Sequence, residues 1–525
     1  MADALHHLAL TCLLPGFEGT TAPDWVRRRV GEGLGGVLLF ARNVVSPSQL
    51  ARLSAALRAE RPTVLVAMDE EGGDVTRLEA AAGSSYPGNL ALGVAADPAL
   101  TRAVGAAIGA DLAAAGINLD AAPVADLNTD PRNPVVGVRS FGTDPAVVAA
   151  HTAAMVEGLQ AQGVAACAKH FPGHGDTAVD SHQALPTVAD DADSLAAALL
   201  PFRAAIAAGV RCVMTAHIIV PAWDAVPATL SRRILTGLLR EELGFDGLAI
   251  TDGLEMAAVS GTVGLAEGAV RAVAAGADVV CVGGGLADEG TVELLADALA
   301  GAVRAGRLPE ERLAEAAGRV AELAAWTVAA TAAGKADRGA GLAAARRALH
   351  ADGRAAVGPG ALVVEFRPDQ SIVVGDVPWG LGTALAAHDP TVTVLPYPTT
   401  DASPGPATPA TAAAPPDGTA EAALARRARG RPLVLVVRDL HRHDRQRDLV
   451  GRLLLARPDA VVVEMGVPVL APEGAAGYLR THGAGRVNAE AAAELLLGRD
   501  PAGAPPGGAA AAGRRLPPDE RRTAR

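Results

Sequence analysis

The residues best suited to chemistry lie between Gly163 and Pro186, in the string GVAACAKHFPGHGDTAVDSHQALP. Three histidines and two aspartates fall within thirteen positions of this segment: His170, His174, Asp176, Asp180 and His182. Imidazole and carboxylate groups serve both as metal ligands and as acid/base catalysts. The segment is therefore compatible with a metal site or with a site of proton transfer.

A metal site is disfavoured by the residues between the first two histidines. His170 and His174 have the i, i+4 spacing of helical zinc motifs, but Pro172 and Gly173 lie between them and interrupt a helix. The segment also lacks the glutamate of the HExxH pattern. We expect no bound metal and no other cofactor.

Asp180 and His182 have the spacing of an acid/base pair. Only one residue separates them, so their side chains can approach each other in an extended or turning loop. A carboxylate that accepts a hydrogen bond from one imidazole nitrogen raises the basicity of the other. Imidazole titrates near pH ~6.5, so it can give and take a proton at neutral pH. From the residues alone, a loop in which the two groups only satisfy each other stays an open alternative.

Further polar residues come at the ends of β-like runs elsewhere in the chain. They are Asp69 and Glu71 after the third run, Lys169 and His170 in the fifth, His217 in the sixth and Asp252 after the seventh. Any one of them could belong to a buried structural network. Four runs that end in this way indicate a common site at the carboxyl ends of the strands.

Eight β-like runs alternate with helical segments up to about residue 335. The runs are Leu8–Leu14, Gly36–Phe40, Thr63–Met68, Ile117–Pro123, Val164–His170, Val210–His217, Leu248–Thr251 and Ala277–Val282. Helices are predicted at Ser46–Arg61, Asp144–Gly163, Asp193–Gly209 and Ser231–Gly244. Eight β/α repeats predict an α/β fold of the (β/α)8 TIM-barrel type. A doubly wound open sheet is the alternative, but no GxGxxG follows the first run.

The remainder of the chain predicts a second, smaller unit. β-like runs occur at Ala361–Phe366, Ser371–Gly375, Thr391–Leu395, Leu433–Val437 and Ala460–Met465, and a helix is predicted at Asn488–Leu497. We therefore expect a catalytic barrel over 1–335, a linker over 336–360, a C-terminal α/β sandwich domain over 361–500 and a disordered tail over 501–525.

The composition excludes several classes of protein. The 525 residues include 46 Lys and Arg but 58 Asp and Glu, a net charge of −12, whereas a nucleic-acid binder carries a basic surface. No apolar stretch approaches the ~18 residues of a membrane span, and the N-terminus lacks the basic region of a secretory signal. The four cysteines lie far apart in apolar runs, which predicts packed free thiols. We expect a cytoplasmic protein that binds neither nucleic acid nor membrane.

The string KHFPGHGDTxxDSHxxLP resembles the signature of glycoside hydrolase family 3, in its β-N-acetylglucosaminidase branch. Further motifs of that family follow in the same order: Gly35–Asn43, Asp69–Leu78, Arg139–Pro145, Met214–Pro221 and Leu243–Met256. The resemblance is strong over about residues 1–330 and weaker over 360–500, where it is similar to the C-terminal domain of two-domain members. Several motifs in register make a chance likeness improbable.

The resemblance implies a retaining glycosidase that forms a covalent glycosyl-enzyme intermediate. Asp252 matches the nucleophile, His182 the acid/base, and Asp180 the partner of that histidine. The sugar-binding positions of the family match Asp69, Arg77, Arg139, Lys169 and His170. A carboxylate with several fixed donors suits a ring rich in hydroxyl groups.

Three positions depart from the family pattern. Glu70 stands where glutamine is common, and Asp74 where a basic or neutral residue is common. Both add negative charge near Asp69. Gly253 follows the nucleophile position where Asp or Ala is common, which should loosen the backbone there.

Three functions are compatible with this pattern. The first is hydrolysis of terminal GlcNAc from cell-wall or chitin-derived glycosides. The second is a β-N-acetylglucosaminide phosphorylase, which passes the same intermediate to phosphate, because a neutral histidine repels phosphate less than a carboxylate does. The third, a sugar-binding protein on a retired enzyme fold, is disfavoured because Asp252, His182 and Asp180 are all present.

Overall fold

The computed structural model describes residues 2–177, 185–188, 191–286, 288–330, 336–367, 374–398 and 419–499. Its N-terminal half contains strands β1 Leu13–Pro15, β2 Gly36–Leu39, β3 Leu65–Met68, β4 Leu119–Asp120, β5 Ala165–Phe171, β6 Cys212–Thr215, β7 Leu248–Ile250 and β8 Val280–Val282. Strands β2 to β7 form a parallel sheet in sequence order, and β1 pairs in parallel with β8. The result is an α/β fold built on a curled parallel sheet.

Helices follow most of these strands and cover the outer face of the sheet. They are α1 Ala2–Thr11, α2 Asp24–Glu32, α3 Pro47–Glu60, α4 Asn89–Ala95, α5 Pro98–Ala114, α6 Pro145–Gln160, α7 Ala192–Ala198, α8 Leu200–Ala207, α9 Ala257–Ser260, α10 Leu265–Ala275, α11 Glu289–Arg304 and α12 Glu310–Ala329, with a π-helix at Arg233–Glu242. Polar side chains cap the N-termini of several of them: Ser46 accepts from the amide of Gln49, for example, and Asp144 from those of Ala146 and Val147.

The sheet is buried on both faces, as its apolar runs predict. One set of alternating residues packs against the helices, and the other set forms an inner cluster that includes Leu38, Ala67, Cys167, Met214 and Ile250. Successive strand residues point to opposite faces, so a continuous apolar run supplies both layers. All four cysteines are buried and free, which confirms that part of the sequence prediction.

Two predicted elements of the N-terminal half differ from the structure. The run Leu8–Leu14 was predicted as a strand, but residues 2–11 form α1 and the strand begins at Leu13. A short apolar run fits a buried helix as well as a strand, and here Leu5 and Ala9 are buried at helical spacing. The predicted helix Asp193–Gly209 is two helices, α7 and α8, because Pro201 has no amide hydrogen to continue the first one.

The C-terminal half is built on a second sheet. After α13 Ala340–Ala348 come β9 His350–Gly353, β10 Leu362–Arg367, β11 Thr393–Pro398, β12 Leu433–Val437, β13 Val461–Glu464 and β14 Gly477–Arg480, with helices α14 Gly382–His388, α15 Thr419–Arg427, α16 Asp444–Ala456 and α17 Arg486–Leu496. The strand order is β11-β10-β12-β13-β14-β9, and all pairs are parallel except β14 with β9. Separate apolar clusters cover its two faces.

The edge of this second sheet differs from the sequence prediction. Strands β9 and β14 were not predicted, and β9 lies in the stretch predicted as a linker. β9 reads HADG, and its Asp and Gly are poor strand formers, so the pairing with β14 rather than local preference creates the strand. In the predicted run Ser371–Gly375, residues 371–373 lie outside the described residues and 374–375 are not a strand.

Across the described ranges, no helix is both long and apolar enough to span a bilayer. The segment predicted as a tail, 501–525, is not among the described residues.

Candidate active site

A cavity of about 590 Å³ lies at the carboxyl ends of the strands in the N-terminal half. Six of the eight residues predicted for the site line it: Asp69, Arg77, Arg139, Lys169, His170 and Asp252. Parallel strands all end at the same rim of a curled sheet, so the loops after β3, β5 and β7 meet there. The remaining two predicted residues, Asp180 and His182, lie outside the described residues.

Lys169 is a buried cation that lines the cavity. Its Nζ lies 2.6 Å from Asp69 Oδ1 and 2.7 Å from Glu71 Oε1, and its side chain is 2% exposed. Burial alone lowers the pKa of an ammonium group, but the two carboxylates outweigh it and hold the pKa of Lys169 above its ordinary value. Lys169 is therefore charged at neutral pH and fixes both acids.

Arg139 and Glu71 form a bidentate ion pair beside Lys169. Arg139 Nε and Nη2 donate to the two oxygens of Glu71 at 2.8 and 2.7 Å, and Nη1 donates to the carbonyl of Val135 at 3.0 Å. Burial raises the pKa of Glu71, but Arg139 and Lys169 outweigh it and keep the pKa below its ordinary value. The side chain of Asp69 is 19% exposed and that of Glu71 is 3% exposed. Asp69 is therefore the acid that a ligand can reach, whereas Glu71 is its support.

His170 is oriented by Asp126, a residue that the sequence analysis did not identify. Asp126 Oδ2 lies 2.7 Å from His170 Nδ1, and its Oδ1 accepts from the backbone amides of His170 and His174 at 3.2 and 2.7 Å. Burial raises the pKa of Asp126, but His170 and His174 outweigh it, so the pKa lies below its ordinary value. The ring of His170 is thus held in one orientation at the cavity wall.

His174 lines the same cavity, and its ring centroid lies 6.0 Å from that of His170. Its Nδ1 is 3.0 Å from the hydroxyl oxygen of Thr177. Burial, with the neighbouring His170, lowers the pKa of His174 to about 4. A neutral imidazole at this position supports the wall and carries no charge at neutral pH.

The loop that carries Asp252 is fixed from both sides. The amide of Gly253 donates to Asp252 Oδ1 at 2.8 Å, and the carbonyl of Gly253 lies 3.0 Å from His217 Nε2. The amide of Leu254 donates to the carbonyl of Cys281 at 3.0 Å. Gly253 is therefore held at both backbone groups, whereas the sequence analysis expects a looser backbone there.

Glu255, three residues after Asp252, was also missed by the sequence analysis. Its Oε1 accepts from the amide of Gly283 at 2.9 Å and from that of Gly284, which joins the loop after β7 to the loop after β8. A β-carbon on Gly253 would lie 3.2 Å from the Glu255 carboxylate, and one on Gly284 would lie 2.9 Å from it. The two glycines make room for this acid.

The missed residues share a weak signal in the sequence. Asp126 comes six residues after the end of β4, and Glu255 comes three residues after Asp252. Their partners lie elsewhere in the chain, so only contact in three dimensions distinguishes them from other acids near strand ends.

Glu70, one of the positions where the sequence departs from the pattern it resembles, is buried next to the site. Its Oε2 accepts from the amides of Arg77 and Leu78, both at 2.8 Å. Burial raises the pKa of Glu70 to about 7. Between its ordinary value of 4.5 and about 7, the folded state holds a proton that the unfolded state has released. Stability therefore falls as the pH rises through this window.

We expect Glu70→Gln to raise the free energy of unfolding at about pH 8 and to leave it nearly unchanged at about pH 5. Glutamine can accept the same two backbone hydrogen bonds and does not titrate. Urea unfolding of both proteins at the two pH values measures the difference. The same displacement of the midpoint at both pH values would contradict the assignment to Glu70 ionisation.

Outside the cavity, the described residues include one group of side chains with the spacing of metal ligands, His6, Glu293 and Asp297. None of the three lines the cavity. Asp and Glu are common at surfaces without a bound ion, so we assign this group no role.

Comparison with known proteins identifies related sequences and structures. Residues 22–323 match the family model described as the glycosyl hydrolase family 3 N terminal domain. Beta-hexosaminidase A of Pseudoalteromonas piscicida is 37% identical over 332 residues. That alignment covers 58% of this chain and 55% of the relative, so the chain spans little more than half of its length.

Two solved structures extend the comparison. A glycoside hydrolase family 3 beta-N-acetylglucosaminidase from Paenibacillus sp. str. FPU-7 is 34% identical with a TM-score of 0.83, over 94% of this chain and 97% of that one. NagZ from Neisseria gonorrhoeae, in complex with N-trifluoroacetyl-D-glucosamine, is 32% identical with a TM-score of 0.50, over 60% of this chain and 97% of that one. The first match includes both halves of the chain.

Proposed function

The chain belongs to glycosyl hydrolase family 3, and we propose that it is a retaining, exo-acting β-N-acetylglucosaminidase. Its substrates would be terminal GlcNAc residues on cell-wall or chitin-derived glycosides. The observation that carries this proposal is the single cavity lined by Asp252 together with Asp69, Arg77, Arg139 and Lys169. The similar proteins named as beta-hexosaminidase and beta-N-acetylglucosaminidase support the same substrate class.

The fold proposed for this activity is a closed (β/α)8 barrel followed by a separate α/β domain. Three observations support closure: the β1–β8 pairing, a parallel bridge between Ile250 and Val279, and the hydrogen bond from the amide of Gly35 to the carbonyl of Leu10. We retain the boundaries 1–335 for the barrel, 336–360 for the linker and 361–500 for the second domain. Strand β9 would then belong to the linker in sequence and to the second sheet in pairing.

In the first proposed step, a carboxylate oxygen of Asp252 forms a bond to the anomeric carbon of the sugar. The bond from that carbon to the leaving oxygen breaks, and the protonated imidazole of His182 gives its proton to this oxygen. Asp180 would stabilise the imidazolium by accepting a hydrogen bond from its other nitrogen. The step leaves a glycosyl ester on Asp252 and a neutral His182.

In the second proposed step, the neutral imidazole takes a proton from water as the water oxygen bonds to the anomeric carbon. The ester bond to Asp252 breaks, and the carboxylate is restored. Two inversions at the same carbon give net retention. The enzyme ends the cycle with His182 protonated again.

The buried ion network would bind the sugar ring. Asp69 accepts hydrogen bonds from ring hydroxyl groups, and Arg77 and Lys169 donate to ring oxygens. Glu71 and Asp126 hold Lys169 and His170 before the sugar arrives, so little ordering remains to be done on binding. A fixed network of this kind can favour the flattened, positively charged transition state over the resting sugar.

We expect hydrolysis, and not transfer to phosphate, to be the outcome of the second step. With 4-nitrophenyl β-GlcNAc as substrate, the rate should be the same in phosphate and in a phosphate-free buffer of equal ionic strength. The sugar product should be free GlcNAc in both, as measured by mass spectrometry and NMR. A rate that rises with phosphate, with GlcNAc 1-phosphate as the product, would instead establish the phosphorylase.

A further inference from the structure

The loop after β3 carries two of the proposed sugar-binding residues and is held by the C-terminal half of the chain. Asp69 opens this loop and Arg77 lies near its far end. Between them, Asp74 is buried and forms an ion pair with Arg438, which follows β12 of the second sheet. The other oxygen of Asp74 accepts from the amide of Ala484 at 2.8 Å. Both oxygens of this acid are therefore engaged by residues more than three hundred positions away.

Arg438 is itself enclosed by acids at the carboxyl ends of the second sheet. Its side chain is 15% exposed, and Asp439 lies 3.8 Å from its Nε. Glu464, at the end of β13, is buried and accepts from the amides of Asp439 and Gly466 at 2.8 and 2.7 Å. The pair with Asp74 is thus part of a built cluster and not a solvent-exposed contact.

The loop is also held at its backbone and further along the chain. A β-carbon on Gly485 would lie 3.1 Å from Cα of Gly73, so the two glycines allow close approach of the two backbones. Arg486 donates to the carbonyl of Gly83 at 3.2 Å and lies 3.2 Å from Glu79 Oε1. These contacts hold the same loop at Gly73, Glu79 and Gly83.

The C-terminal half also reaches the cavity directly. Nη1 of Arg77 donates to the carbonyl of Val374 at 3.3 Å, and Gly375 lines the cavity wall. In α/β sheets of this kind, ligands bind beyond the carboxyl ends of the strands. Here part of that edge, at Arg438 and at Ala484 beyond β14, is occupied by the β3 loop of the N-terminal half.

We propose that the C-terminal half positions the sugar-binding loop of the N-terminal half, with Asp74 and Arg438 as the positioning residues. The link to sugar binding rests on the function proposed above. Displacement of the loop would move Asp69 away from Lys169 and Arg77 away from Val374. Binding of the sugar would therefore weaken, while the chemistry at Asp252 would change less.

The test uses the full chain with Asp74→Asn, Arg438→Gln and the double variant. The matched control is Arg347→Gln on α13, because Arg347 pairs with Asp97 at 3.0 Å and donates to the carbonyl of Ala95, and both partners lie beyond the β3 loop in the N-terminal half. Two measurements are made on each protein: kcat and KM with 4-nitrophenyl β-GlcNAc, and hydrogen exchange of the peptide that spans residues 70–79. Thermal unfolding monitors folding.

We expect each single variant to lower kcat/KM by about 10-fold to 100-fold, mainly through KM, and to speed exchange in residues 70–79. The double variant should resemble either single variant, because both break the same pair. Arg347→Gln should change neither quantity by more than about 2-fold.

Each alternative outcome has a separate meaning. If Arg347→Gln lost as much kcat/KM as the other variants, contact between the two halves in general, and not the Asp74–Arg438 pair, would be responsible. That result would overturn the proposal. Unchanged exchange in residues 70–79 would also overturn it, even if the variants were less stable. If the wild-type protein did not turn over the substrate but the exchange pattern appeared, the proposed function would fail and the positioning of the loop would stand.

Discussion

Asp252→Ala is expected to lower kcat with aryl β-GlcNAc substrates by roughly 10⁴-fold or more. The variant lacks the oxygen that would bond to the anomeric carbon, whereas the ion pairs of Lys169 with Asp69 and Glu71, and of Arg139 with Glu71, are left in place. KM and the free energy of unfolding should therefore change little. Steady-state kinetics and urea unfolding check the two expectations separately.

Added azide gives a sharper test of the same residue. The space left by the lost carboxylate allows azide to attack the anomeric carbon directly, with a single inversion. With 2,4-dinitrophenyl β-GlcNAc, Asp252→Ala should recover turnover in azide and produce the α-glycosyl azide. Asp69→Ala is the matched control, because it removes a carboxylate from the same cavity and should show no recovery. A β-configured product, or recovery in the control, would contradict nucleophilic attack by Asp252.

Covalent trapping distinguishes an enzyme from a sugar-binding protein. A 2-fluoro sugar with a good leaving group slows the second step and lets the ester accumulate. Peptide mass analysis should locate the label within residues 247–256 in the wild-type protein and find none in Asp252→Ala. A label on another peptide would overturn the assignment of the nucleophile.

His182→Ala is expected to have an effect that depends on the leaving group. For a poor leaving group, such as the second sugar of chitobiose, kcat/KM should fall by about 10²-fold to 10⁴-fold, because the leaving oxygen needs the proton. For 2,4-dinitrophenyl β-GlcNAc, kcat/KM should change much less, because that oxygen leaves as a stable anion. The slope of log kcat/KM against leaving-group pKa should therefore become steeper in the variant.

The second step offers an independent check on His182. Azide is an anion and needs no general base, so it should speed release of the intermediate in His182→Ala and produce the β-glycosyl azide. His174→Ala is the matched control from the same segment, since His174 is bonded to Thr177 and has no proposed role in proton transfer. Equal losses of kcat/KM for good and poor leaving groups would count against His182 as the acid.

The strand ends of the N-terminal half were predictable because their signals are local. Runs such as those before Asp69 and Asp252 are apolar on both faces, and a polar residue follows at once. The first strand was mispredicted because its local signal is ambiguous. Leu8–Leu14 is a short apolar run with no local feature that separates a buried helix from a buried strand, and packing against the neighbouring elements made residues 2–11 helical.

The supports of the site were less accessible to sequence reasoning. Asp126 lies 44 positions from His170, and Asp74 lies 410 positions from Ala484. Nothing in the local sequence of either acid differs from that of an acid in an exposed turn. Their burial, and the hydrogen bonds that make burial tolerable, exist only once distant segments meet.

The sequence by itself determined which groups are available for chemistry and on which rim of the sheet they lie. Strand periodicity and the polar residue after each strand are properties of neighbouring positions. The tertiary structure alone decided that Glu71 pairs with both Lys169 and Arg139, that Asp126 orients His170, and that the C-terminal half contacts the loop of Asp69. Each of these pairings joins groups far apart in the chain, and a buried charge is tolerated only beside the partners that the fold brings to it.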